Sequence, residues 1–564
     1  MRYRFLKKTL LAALVMAVFF LSTAIKADDT SEQRVNPDLL ALQATQIPTL
    51  RKIGSRVFAT EFIGYSNHGF IEGDDGIIVI DGGWFPTTTS QAVKELRRFT
   101  DKPVVAIIYT HLHLDHFGGM GPIMAGQASD VPVYAPSGWQ HWVTRLLRSD
   151  RESILRRVYL QMGMMLPHSE DGTVGNGIGP SPIPEANDPL SFPPTIDVDS
   201  PLSIEIAGVP LEIMPMEGDV PEHLWVWLPE DRVLFSGDAP PHGVFPAVET
   251  ARFEIGRNPD AMLEGVEKSI ALAPVAIVPG HSRILVGNEE ITRIMSDTYD
   301  AISFLIDQVN RFFLSNRSVD DMLDTLQLPP NIAANSELQP YYHRWEWMAR
   351  QRYIKLGGFI DDSMDYLSLN ELEESRRLVP LLGGPERTLG IAENTLLGDP
   401  RWAARLATYV LQADPSNIEA REIRQRAFRK VAQTTNSTNE RNYLLGLILE
   451  EQGTIDFPRQ LAKMNSLAYQ KLSNSVLLER LKARLMAESA DHINLELGLE
   501  VDSEPFVLAV RNNVLHVTPA STEQANQAFM SRDELISVVA YLAPLAGLPG
   551  WQDDTAQAVA ALIE

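Results

Sequence analysis

Between Thr110 and Met120 the chain reads THLHLDHFGGM, which places three imidazoles and one carboxylate, His111, His113, Asp115 and His116, within six residues. Neutral imidazole nitrogen and carboxylate oxygen are the donors that suit a zinc-type divalent ion, and a set without thiolate also suits iron or manganese. An isolated histidine is ordinarily a surface or hydrogen-bonded core residue. Here three of the chain's 12 histidines are packed with an aspartate into one motif, which favours a metal site over a polar loop. His68, His141, His168, His343, His492 and His516 have no such neighbours and read as ordinary residues.

Such a motif needs a rigid element to aim it. Pro103 to Tyr109 (PVVAIIY) is an apolar run rich in β-branched residues, and it reads as a buried strand that delivers the motif at its end. Upstream, Val57 to Asp81 predicts two strands joined by a Gly/Asp turn, and a helix follows over Thr88 to Phe99. Strand patterns return at Leu202 to Met214, Leu224 to Leu228, Val233 to Phe235 and Val275 to Val278. This alternation predicts an α/β layered domain. The aperiodic Gly/Pro-rich stretch within 150 to 200 has the length of a lid or binding loop.

From about 290 to 435 helical periodicity replaces strands, with ADPSN at 413–417 as the turn of a helix pair and TTNSTNE at 434–440 as a polar linker. Beyond it, Ile493, Leu495, Leu497 and Leu499 alternate, as do Phe506, Leu508 and Val510, and Arg511–Asn513 offers a hairpin turn. The expected division is a leader over 1–27, a catalytic domain over 28–300, a helical domain over 301–435 and a small α+β domain over 440–564. A length of 564 residues leaves room for several units of roughly 150 residues each.

Arg2, Arg4, Lys7 and Lys8 precede the apolar run Leu10 to Leu21, and Ser22, Ala24 and Ala27 follow. That order reads as a cleaved signal peptide and a periplasmic or secreted protein; the alternative is a single anchor, for which the run is short. No later run is long and apolar enough to span a bilayer, so no stable membrane span is expected after cleavage. With no cysteine, thiolate chemistry and disulfides are excluded. A net charge of −24 repels phosphate backbones and argues against nucleic acid as a partner, while an anionic small substrate would need local positive charge from metals or arginines.

The HLHLDH spacing resembles the signature of the metallo-β-lactamase superfamily. The resemblance implies an αββα sandwich with two metal ions at the sheet edges, zinc first and other divalent transition metals as alternatives. It also implies three later ligands: Asp219, Asp238 after Val233 to Phe235, and His281 in Pro279–Ser282 after Val275 to Val278. Asp238 matches the bridging carboxylate. Asp219 stands where most members have histidine; it reads as a ligand or as a turn residue, with Glu217 and His223 as substitutes.

A carboxylate at that place resembles the type III alkyl sulfatases, in which both acids are usually glutamates. YLQMGMMLPHSEDGTVGNGIG and the segment from RYIKLGGFIDD to ADPSNIEAREI resemble them too. Their architecture implies a dimerisation domain in the helical part, hence a homodimer, and a sterol-carrier-like C-terminal domain. The stretch APPHGVFPAVETARFEIGR after Asp238 departs from the family pattern.

The expected reaction is therefore hydrolysis of an anionic ester with an aliphatic tail, an alkyl sulfate, by hydroxide from a two-metal site. Asp115 is both ligand and catalytic candidate, Arg252 or Arg257 is the guanidinium for the sulfate, and His242 is a general-acid candidate. Two alternatives stand beside this: a hydrolase of another ester, phosphoester or lactam, and a lipid-binding protein with a vestigial metal site.

Overall fold

The run PVVAIIY lies at the centre of the first of two stacked sheets. The computed structural model describes residues 33–146, 150–186, 188, 190–250, 257–357, 367–464 and 466–563; the leader expected over 1–27 and Arg252 lie outside them. The first sheet runs in spatial order through β1 (Thr49–Ile53), β2 (Val57–Glu61), β3 (Gly69–Glu72), β4 (Ile77–Ile80), β5 (Val104–Ile108), β6 (Val133–Ala135) and β7 (Ile196–Asp197). The second runs from β8 (Leu202–Ile206) through β9 (Val209–Pro215), β10 (Leu224–Leu228), β11 (Val233–Gly237) and β12 (Ala276–Pro279) to β13 (Leu285–Val286).

Strand periodicity explains how both faces of each sheet are buried. Ile78, Ile80, Ala106 and Ile108 of the first sheet meet Leu224, Val226, Leu228, Val233 and Phe235 of the second in one central core. Their neighbours point outward: Ile77, Val79, Val104 and Ile107 pack beneath the helices Pro86–Leu96 and Gly121–Met124. On the other side, Trp225, Trp227, Leu234 and Ile277 pack beneath Pro259–Ala271 and Asn288–Leu314. The result is the expected αββα sandwich. Because β4, β5 and β6 are parallel and β11 and β12 are parallel, the loops leaving their C-terminal ends gather at one edge.

Two strand expectations need correction. The Val57–Asp81 region holds three strands, because Phe62–His68 breaks the first run; Phe62 adopts φ 58°, and Asn67 leaves the sheet to donate its N–H to the Gly280 carbonyl. Leu202–Met214 is two strands, split by a turn in which Ala207 and Gly208 adopt φ 50° and 73°.

The helical region follows as expected, and Asn417 caps Ile418–Thr434 after the ADPSN turn by accepting the Ala420 N–H. The polar segment 434–440 is not a linker. Ser437 caps a further helix, Thr438–Glu451, and Thr435, Ser437, Asn439, Glu440, Arg441 and Asn442 are buried. Arg441 donates to the carbonyls of Gly172, Glu170, Arg34 and Ala432, and Asn442 to those of Gln161 and Gly175. Polar side chains are buried there because the loop 161–176 presents main-chain acceptors that need donors.

The C-terminal part is α+β: β14 (Leu495–Val501), β15 (Glu504–Arg511), β16 (Val514–Pro519) and β17 (Ala528–Met530) form a sheet in the order β16-β15-β14-β17. The β15–β16 hairpin turns through Asn512 and Asn513 at φ 51° and 59°, the left-handed pair that a tight two-residue turn requires. Among the described residues no helix is long and apolar enough to cross a membrane.

Candidate metal centre

The seven residues singled out in the sequence converge at the sheet edge as two groups of donor atoms. His111, His113, Asp219 and Asp238 form one and Asp115, His116 and His281 the other, with the donor atoms of each group within 4.8 Å of one another. β5 delivers the motif, the segments after β9 and β11 deliver Asp219 and Asp238, and β12 delivers His281. Asp238 faces both groups: its Oδ2 lies 3.8 Å from His111 Nε2 and 3.3 Å from His281 Nε2, and its Oδ1 lies 3.3 Å from His116 Nε2. His113 Nδ1 is 3.2 Å from Asp219 Oδ2, and His281 Nε2 is 3.1 Å from Asp115 Oδ2.

The donor set fits a pair of divalent ions. His116 Nε2, Asp219 Oδ1 and Asp238 Oδ1 are buried and receive no hydrogen bond. Leaving a buried polar atom unsatisfied costs about 1–3 kcal/mol, and a cation among these atoms would supply the missing partner. Burial alone would raise the Asp115 and Asp238 carboxyls, yet His116 and His281 hold both well below the usual range. Burial likewise opposes charge on His281, but Asp238 and Asp115 push it up to about 10. His111 is driven the other way, by burial first and His116 next. The cluster thus attracts positive charge strongly, and protons and metal ions compete for it.

Supporting residues fix which nitrogen each ring presents. Asp81, at the end of β4, accepts from Thr110 N–H and Thr110 Oγ1 at 2.8 Å and lies 2.8 Å from His116 Nδ1. Thr110 Oγ1 in turn lies 3.1 Å from His111 Nδ1. Both rings therefore turn Nε2 toward the acids. Tyr65 O, in the break after β2, lies 2.9 Å from His281 Nδ1, and Ser66 Oγ donates to Asp115 Oδ2 at 3.0 Å. Sequence reasoning did not identify Asp81, Tyr65 or Ser66; the run IIVIDGG, an acid ending an apolar strand, was the available signal for the first.

The two substitutes considered for Asp219 point elsewhere. Glu217 Oε2 accepts from Asn258 Nδ2 at 3.2 Å. His223 lies between Met216 O, 3.0 Å from its Nδ1, and the Asp238 N–H, whose nitrogen is 3.2 Å from its Nε2.

The acids open into a cavity lined by both polar and apolar residues. Asp115, Asp219, Asp238, His113 and His281 lie at its base, and Leu114, Leu155, Val158, Met162, Ile178 and Trp84 form the apolar wall. Arg257 lines it with its guanidinium 3.4 Å from Asp219 Oδ2, and its other arm donates to Ala247 O. Of the two arginines considered for the anion, Arg257 is thus at the base of the cavity. His242 also lines it, with Nε2 2.9 Å from Arg283 O, and burial favours its neutral ring.

Comparison with known proteins gives the same assignment. Residues 63–281 match the metallo-beta-lactamase superfamily, and residues 318–453 match the alkyl sulfatase dimerisation family. A linear primary-alkylsulfatase of a Pseudomonas species is 27% identical over 461 residues, covering 79% of this chain and 87% of that protein. An alkyl/aryl-sulfatase of Saccharomyces cerevisiae is 26% identical over 502 residues, covering 86% and 77%. The solved stereoselective inverting sec-alkylsulfatase Pisa1 from Pseudomonas sp. superposes with a TM-score of 0.76 at 22% identity, covering 95% of this chain and 88% of that one. The chain belongs to the metallo-β-lactamase superfamily, in its alkylsulfatase group with a dimerisation domain.

Proposed function

We propose that this protein hydrolyses alkyl sulfate esters to alcohol and sulfate at a two-zinc centre. The observation that carries the reading is the cavity, which joins a base of converging metal donors and a guanidinium to an apolar wall. That combination fits an anionic head with an aliphatic tail. When bound, a divalent pair supplies Lewis acidity and a nucleophile from water at neutral pH.

The chain's own residues do the rest. His111, His113 and Asp219 would hold one ion and Asp115, His116 and His281 the other, with Asp238 shared. Asp81, Thr110, Tyr65 and Ser66 keep the ligand atoms aimed before any ion arrives. Arg257 would bind sulfate oxygens through its planar fork, and Arg252 is the second candidate for that task. His242 lines the same cavity with its Nε2 proton on Arg283 O; burial keeps the ring neutral and Nδ1 bare, so it would protonate the leaving oxygen only after taking up a proton at Nδ1.

The dimerisation region supports a homodimer, and the N-terminal basic and apolar run supports export to the periplasm or medium. Metal analysis with a panel of octyl sulfate, dodecyl sulfate, a phosphomonoester and a β-lactam tests the function. About two ions per chain and turnover of the alkyl sulfates are expected. Cleavage of the phosphoester or lactam alone would leave a two-metal hydrolase with another substrate, and absence of metal would leave a lipid-binding protein.

A further inference from the structure

His223 touches the metal centre without offering it a ligand atom. Its ring stacks on His111 with centroids 5.1 Å apart and an interplanar angle of 29°. Its Nδ1 lies 3.0 Å from the Met216 carbonyl, which can only accept, so the proton sits on Nδ1. Nε2 is then an acceptor, and it receives the main-chain N–H of Asp238 at 3.2 Å.

The surroundings are shaped to this approach. A Cβ on Gly237, which adopts φ 52°, would come 2.4 Å from His223 Nε2, and one on Gly218 would come 3.2 Å from its ring. His111 and His223 are also joined by an isolated antiparallel bridge, so one side chain spans the segments that carry His111, Asp219 and Asp238.

We propose that His223 is a positioning residue of the metal centre, which fixes the shared carboxylate of Asp238 by accepting its main-chain N–H. Supporting partners of metal ligands commonly change affinity by about ten- to a hundredfold. The inference rests on the two-metal reading above and adds a role for a residue that would otherwise count as a failed ligand.

Two amides separate the two hydrogen bonds. His223→Gln places an acceptor at the Nε2 position and can still receive the Asp238 N–H; His223→Asn places a donor at the Nδ1 position and reaches only Met216 O. Metal-free wild type and both variants would be titrated with Zn2+ against a chromophoric chelator and, separately, with Co2+ while the visible absorption is recorded. Thermal melting of the metal-free proteins checks folding, and His223→Phe replaces the Asn variant if that one is unfolded. The expected result is loss of about tenfold or more in affinity and an altered Co2+ spectrum for Asn, with Gln within about threefold of wild type. Equal behaviour of Gln and Asn, or wild-type affinity and spectrum in Asn, would overturn the proposal. A wild-type protein that binds fewer than two ions would overturn the two-metal reading itself and this inference with it.

Discussion

The Oδ2 atom of Asp81 lies 2.8 Å from Nδ1 of His116, joining the end of β4 to the motif that follows β5. The same carboxylate takes both donors of Thr110, and through Thr110 Oγ1 it sets the ring of His111. Asp81→Asn keeps the shape but offers a single acceptor oxygen for three donors. Zinc affinity should fall by about ten- to a hundredfold, and the buried donors left unpaired should lower melting of the metal-free protein as well, as measured by chelator competition and circular dichroism. Unchanged affinity would remove Asp81 from the centre.

Arg257 and Arg252 can be separated by kinetics. A charge-assisted hydrogen bond is worth about 1.5–3 kcal/mol, so loss of the guanidinium that holds sulfate should raise KM about ten- to a hundredfold. Arg257→Ala should show that rise on octyl sulfate, with kcat less affected, and Arg252→Ala should show less. The reverse order would assign the anion to Arg252.

The apolar wall should govern tail length. Each buried methylene contributes about 0.8 kcal/mol, so long-tailed sulfates gain most from Leu155, Val158 and Met162. Val158→Asn should raise KM for dodecyl sulfate several times more than for butyl sulfate. Of the described residues that line this cavity, none lies beyond Tyr342, so the C-terminal sheet does not touch it. Among the described residues, Leu114, Trp142 and Leu190 pack on the core of the C-terminal part, and Lys471 pairs with Asp188. An equal effect on both substrates would show that the tail binds elsewhere.

His68 gives the metal-free protein a pH-dependent stability. Burial holds it neutral, with its pKa lowered from 6.5 to about 4 between Thr60 and Thr89 hydroxyls. The unfolded chain therefore binds the extra proton first as pH falls, and the contribution present above 6.5 is lost on the way down to about 4. The shift corresponds to roughly 3 kcal/mol. Denaturation midpoints of wild type should drop more between pH 7 and pH 4.5 than those of His68→Gln; parallel loss would exclude His68 as the cause.

The helical region should pair two copies. Leu367, Leu381, Leu397 and Ile418 are each more than half exposed, which leaves apolar surface unpartnered in a single chain. Light scattering should give a dimer mass at micromolar concentration, and Leu381→Glu with Leu397→Glu should shift it toward monomer. A wild-type monomer would refute the assembly.

What could be read in advance follows from distance along the chain. His111, His113, Asp115 and His116 are neighbours in sequence, so their convergence needs only one strand end. Asp219, Asp238 and His281 were reached by family resemblance, since nothing local distinguishes an acid at a strand end. Tyr65 and Ser66 were missed because a break in the sheet brings them in. TTNSTNE was misread because its composition is that of a solvated segment; its burial depends on acceptors such as the Gly172 carbonyl, 269 positions from Arg441.

That buried anchor decides which parts of the molecule are inherited together. A protein trimmed after the sandwich, near residue 300, would leave the carbonyls of Gln161, Glu170, Gly172 and Gly175 without their donors and would lose Tyr342 from the cavity wall. The loop that these donors hold leads directly from Met162 to Ile178, two residues of the wall, so the trimmed protein would lose the shape of its substrate site before its ligands. Shuffling this catalytic sandwich onto another partner would therefore require carrying the helices through Glu451 with it, whereas the last hundred residues, which among the described residues meet the sandwich through Leu114, Trp142, Leu190 and the Lys471–Asp188 pair and do not line the cavity, are the exchangeable part.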